Sequence, residues 1–93
     1  AGLYCNHSGV DLADYANKIK HLVSHMHISD AKGIDGEGVQ VGDGNIEFEK
    51  VLNELKDQTH SWVTEIWSGH LHHGAGTCKS LHLLSPYKNN KLL

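Results

Sequence analysis

Long hydrophobic runs are absent from this chain, and aromatic residues are few. No apolar stretch approaches the roughly 20 residues that a membrane-spanning helix needs, so the sequence offers no bilayer span. The opening "AGLYCNHSGV" lacks the basic segment of a signal peptide. Only 39% of the 93 residues are apolar and 6% aromatic. A chain of this size buries roughly 60–65% of the surface that its unfolded form exposes, so the core is modest. Such a core implies either an economical fold or a chain that lacks part of its structure. The start on "AGLY", without methionine, leads to the expectation of a piece cut from a longer chain, with processing as the alternative origin of the same start.

A surplus of positive charge is also missing. The formal charge is −3, which argues against a nucleic-acid binder working through a basic face. Like charges do not cluster, so the charged surface is an ordinary solvated one. Cysteine is scarce. Cys5 and Cys78 stand far apart, outside any CxxC pattern, and are read as reduced thiols of a cytoplasmic protein rather than a disulfide framework. There are no internal repeats and no low-complexity segments. Ser29 lies near histidines but on no nucleophile elbow, and neither cysteine has a histidine beside it in a local pattern.

What the chain has instead is histidine. Nine histidines outnumber the eight lysines and arginines together. Imidazole is the commonest metal ligand and titrates near neutral pH, so metal binding becomes the first functional question.

The hydrophobic pattern predicts helix, strand, helix, strand, helix in a single domain over residues 1–93. Leu12, Tyr15, Ile19 and Leu22 recur at helical spacing, giving a helix at about 11–21 with Asp11 as its cap. The period then changes to two, giving a strand at about 23–29. Met26 and Ile28 (with Ser24) occupy one face; Val23, His25, His27 and Ser29 occupy the other. "AKGIDGEGVQVGDGN" reads as a long glycine-rich loop. Phe48, Val51, Leu52 and Leu55 mark a helix at about 46–57. "SWVTEIW" is a second strand, about 61–67, with Trp62, Thr64 and Ile66 opposite Val63, Glu65 and Trp67. A histidine-rich loop leads to a last helix at about 77–84, and ordered structure is expected to end at Pro86 and "YKNNK". Alternation of this kind argues α/β architecture with parallel strands. Two strands cannot make a protected parallel sheet, because such sheets are buried on both faces, so the pattern looks like part of something larger.

His27 and Glu65 are the leading candidate pair. Both fall on polar faces near the C-terminal ends of consecutive strands, and neighbouring strands lie about 4.8 Å apart. An imidazole and a carboxylate so placed suit zinc, manganese or cobalt better than calcium. The competing reading is a hydrogen-bonded histidine with a salt-bridge partner. His25 lies one step deeper, as a packed histidine that orients others. Asp30 and Lys32 begin the following loop, either as a rim pair in which Lys32 holds an anionic substrate or as a surface pair. The glycines of that loop match neither GxxxxGK[ST] nor GxGxxG. His70, His72 and His73 form either a solvated loop or a metal-binding tract, with His70 the best placed to touch a substrate.

"HMHISDAKGIDGEGVQVGDGNIEF", followed by "TEIWSGH", resembles the last part of sugar-phosphate isomerase/epimerase proteins of the xylose isomerase-like TIM-barrel superfamily. It is most similar to barrel domains associated with sialic acid-type sugar synthases. The resemblance covers roughly residues 11–76. It implies the C-terminal fragment of a (β/α)8 barrel, with His27 a metal ligand from strand seven and Glu65 one from strand eight. Further ligands, a glutamate and an aspartate, would come from earlier strands that this chain does not supply. The implied activity is divalent-metal-dependent isomerisation or epimerisation of a sugar or sugar phosphate in carbohydrate or nonulosonic-acid metabolism. Glu65 would be ligand and acid/base, and Lys32 and His70 would be substrate contacts. "GHLHHGAGTCK" departs from the usual acidic and aromatic continuation, and "GIDGEGVQV" lacks the extra ligands of the related DNA-repair endonucleases. Two other readings stand beside it. One is a non-catalytic domain that self-associates through exposed strand edges; the other is a histidine-rich metal-binding protein.

Overall fold

A computed structural model describes residues 1–57 and 59–87. The chain runs α1 (Gly2–Ser8), α2 (Leu12–Ile19), β1 (His25–Ile28), β2 (Asp30–Lys32), β3 (Gly36–Val39), α3 (Phe48–Leu55), β4 (Ser61–Thr64) and α4 (Leu71–Leu84). It is a small α/β fold with two separate two-stranded sheets.

The expected alternation is present at its centre. Asp11 caps α2, its carboxylate accepting from the amides of Ala13 at 2.8 Å and Asp14 at 3.1 Å, which satisfies two of the donors that a helix start leaves open. The helix ends in a 3-10 turn over Lys20–Leu22. The chain then enters β1, which pairs in parallel with β4 in the register His25 with Ser61, Met26 with Trp62, His27 with Val63 and Ile28 with Thr64. Bonds from the His60 amide to the Ser24 carbonyl and from the Glu65 amide to the Ile28 carbonyl, both 2.8 Å, extend the ladder at each end.

Period-two alternation decides which face of this sheet is covered. Ile28 and Trp62 are buried and join Val41, Leu52 and Leu84 in the core, with Met26, Phe48, Ile66 and Tyr87 packed against it. Trp62 and Leu84 are fully enclosed. The opposite face carries His25 and His27, both exposed, with Ser61 and Val63 half-buried beside them. One side of the parallel pair is therefore under helices and the other is bare, in a slab only 17 Å thick.

Three elements differ from the sequence expectation. The N-terminal segment forms α1, closed by Gly9 in the left-handed region (φ 72°), whose amide bonds the Cys5 carbonyl. The glycine-rich stretch is not one loop. It holds an antiparallel hairpin in which Asp30 faces Val39 and Lys32 faces Gly36. Glycine here permits close strand approach: a Cβ at Gly36 would meet the Lys32 carbonyl oxygen at 2.8 Å. Finally, α4 begins earlier than 77, but His72, His73 and Gly74 are all left-handed within it, so its regular part starts at Ala75. A 3-10 turn over Ser85–Tyr87 carries Pro86; the rest of "YKNNK" lies outside the described residues. Cys5 is buried and Cys78 exposed, both unpaired. Among the described residues no helix is long and apolar enough to cross a membrane.

Candidate functional site at the strand ends

The parallel register brings His27 and Glu65 together. His27 sits opposite Val63, and Glu65 lies two positions beyond Val63, so the two side chains share the bare face. His27 Nδ1 and Glu65 Oε2 are 3.2 Å apart, with side-chain exposures of 58% and 63%. His25 supports this arrangement from the same strand. Its Nδ1 is 2.6 Å from Ser61 Oγ, and its ring meets that of His27 edge to face, with centroids 5.1 Å apart. His25 is not packed away, as expected from its deeper position, because nothing covers this face of the sheet.

Asp30 corrects the expectation of a rim pair. It is 2% exposed, and its carboxylate is consumed by the backbone. Oδ1 accepts from the amides of Ala31 (2.9 Å) and Ile46 (3.0 Å), while Oδ2 accepts from those of Gly42 and Gly44, each at 3.0 Å. A buried carboxylate needs such donors to offset its desolvation. Here the donors come from the segment that leads from the hairpin into α3. A Cβ on Gly44 would collide with the carboxylate and with the Ala31 carbonyl. Asp30 thus ties the loop down and leaves Lys32 exposed on β2 without it.

Beside Glu65 lies an open depression of about 300 Å³, lined in part by Ser29, Asp30, Glu37, Glu65 and Trp67. Neither Lys32 nor His70 is among its lining residues. Both are exposed, Lys32 on the hairpin and His70 just before α4. Glu37 and Trp67 are the residues that sequence reasoning did not single out. Trp67 is 64% exposed, and its amide bonds the Gly38 carbonyl at 3.1 Å. The available signal was the alternation Gly36-Glu37-Gly38-Val39, a strand pattern masked by its glycines.

Two protein ligands do not make a metal centre. Among the described residues no group of three or more histidine, cysteine, aspartate or glutamate side chains is arranged to hold a metal ion. Structural and catalytic zinc sites take three or four protein ligands.

No family model matches the chain, and no solved structure matches it. A curated relative, the uncharacterized protein MJ1311 of Methanocaldococcus jannaschii, is 33% identical over 57 residues, a stretch amounting to 58% of this chain and 20% of that protein. The chain therefore spans about a fifth of the length of the curated relative it matches.

Proposed function

We propose that the chain is the C-terminal part of a (β/α)8 barrel resembling the xylose isomerase-like superfamily, and that His27 and Glu65 are two ligands of its divalent-metal site. The observation that carries this reading is the 3.2 Å separation of His27 Nδ1, on β1, and Glu65 Oε2, one residue past the end of the parallel strand β4. Ligand atoms about 2.0–2.2 Å from one zinc-sized cation, at tetrahedral or octahedral angles, lie roughly 2.9–3.5 Å from each other. The pair therefore fits one edge of such a coordination shell.

Two further observations support the barrel. The bare face of β1 and β4 is polar and histidine-bearing, whereas a parallel sheet is normally covered on both sides. The archaeal relative, of which the matched 57 residues are 20%, is roughly 280 residues long, close to the about 250 typical of a complete barrel.

In a completed barrel the missing strands would add a glutamate and an aspartate to His27 and Glu65. A divalent ion so held supplies Lewis acidity toward the oxygens of a sugar carbonyl. Glu65, at the rim, also serves as acid/base for moving a proton between the flanking carbons. The substrate class is a sugar or sugar phosphate, with Lys32 and His70 as its outer contacts, and the unpaired thiols suit the cytoplasm. The 93 residues by themselves are expected to bind metal weakly and to show no isomerase or epimerase activity.

Zinc, manganese and cobalt titrations of the wild type, His27→Ala, Glu65→Gln and the triple His70/His72/His73→Ala variant test the reading. Weakening in the first two variants alone supports it. Loss of binding only in the triple variant points to a histidine-rich metal-binding loop. Self-association with no specific metal binding points to an interaction domain.

A further inference from the structure

We propose that the depression beside Glu65 is a subsite for the protonated amine of a small polar ligand, so that the sugar handled here is an amino sugar. This deepens the reading above and rests on it only for the kind of molecule that carries the amine. The depression, at about 300 Å³, is as large as the smaller members of the 300–1,000 Å³ range of small-molecule sites.

One wall is the indole of Trp67. A side chain this apolar and 64% exposed is held in place by backbone rather than by burial, since its amide is bonded to Gly38 and its ring covers that glycine. The ring quadrupole attracts a cation over its face. The ionisable side chains that line the space are all acidic. Glu37 is exposed and makes no ion pair among the described residues. Glu65 faces the same space, bonded on one oxygen to His27. Asp30 also lines the space, but its oxygens are taken by amides.

No lysine, arginine or histidine side chain lines this space. With no metal bound, the exposed carboxylates of Glu37 and Glu65 attract an ammonium group and repel a phosphate. Ala1 is also among the lining residues, so its amino group is acetylated in the test below.

The test uses the Nα-acetylated chain in excess chelator at low salt, titrated with glucosamine, glucose and glucose 6-phosphate while binding is followed by NMR chemical-shift changes. Glucosamine is expected to bind about five- to tenfold more tightly than glucose, and glucose 6-phosphate more weakly than either. Glu37→Gln and Trp67→Ala, both at exposed side chains, should each remove the preference while the circular dichroism spectrum stays unchanged. Glu37→Asp should retain part of it. Equal binding of glucose, tighter binding of glucose 6-phosphate, no binding of any of the three, or an intact preference in Glu37→Gln would each overturn the proposal. Because no metal is present, failure here leaves the His27–Glu65 metal reading standing, and failure of the zinc titrations leaves this subsite standing.

Discussion

The indole of Trp67 lies over Gly38 so closely that no side chain fits between them, and the Trp67 amide donates to the Gly38 carbonyl at 3.1 Å. This contact fastens the β2–β3 hairpin to the end of β4. Gly38 is also left-handed, with φ 63°. Gly38→Ala is therefore expected to cost about 1–2 kcal/mol from backbone conformation alone, plus a steric cost against the indole. In Gly38→Ala/Trp67→Ala the steric part should vanish and the conformational part remain. Urea unfolding of the four proteins in the cycle measures this coupling, and strict additivity would refute the contact.

Asp30 should be among the residues least tolerant of change. Asp30→Ala strands four backbone donors around a buried cavity and is expected to destabilise by about 3 kcal/mol or more. Asp30→Asn should be almost as damaging. Its amide NH2 must face either the Ala31 and Ile46 amides or the Gly42 and Gly44 amides, donor against donor. An Asn variant within about 0.5 kcal/mol of wild type by urea unfolding would show that the carboxylate does not organise the loop.

The His27–Glu65 pair should contribute little to stability. Exposed ion pairs are worth about 0–1 kcal/mol, so His27→Ala and Glu65→Gln are expected to shift the unfolding midpoint only slightly. A large destabilisation in either would mean that any loss of metal affinity reflects unfolding rather than ligand removal.

Leu52→Ala should cost about 2–5 kcal/mol, because Leu52 is 2% exposed and touches the central cluster. Asp11→Ala should cost about 1 kcal/mol through loss of the α2 cap and lower the helical signal only modestly. Thermal unfolding by circular dichroism distinguishes the two by size.

Local chemistry made much of the secondary structure readable. The stripes of α2 and α3, the cap at Asp11 and the alternation on either side of His27 and Trp62 are properties of neighbours in sequence, and the observed elements follow them with ends trimmed by a few residues. The candidate pair was legible for the same reason: two strands with polar positions near their ends, once taken as parallel neighbours, put His27 beside Glu65.

Tertiary structure decided the rest. Asp30 looked like a free rim carboxylate because its four amide donors lie one to sixteen residues ahead, and nothing in "SDAK" announces them. "GEGV" looked like loop because glycine weakens a strand pattern, yet glycine is what lets Lys32 and Trp67 approach that backbone. By itself the sequence determined which stretches fold locally and which faces are apolar, since those follow from side-chain period. Which carboxylates stay exposed, Glu37 and Glu65 but not Asp30, depended on where distant backbone donors came to rest.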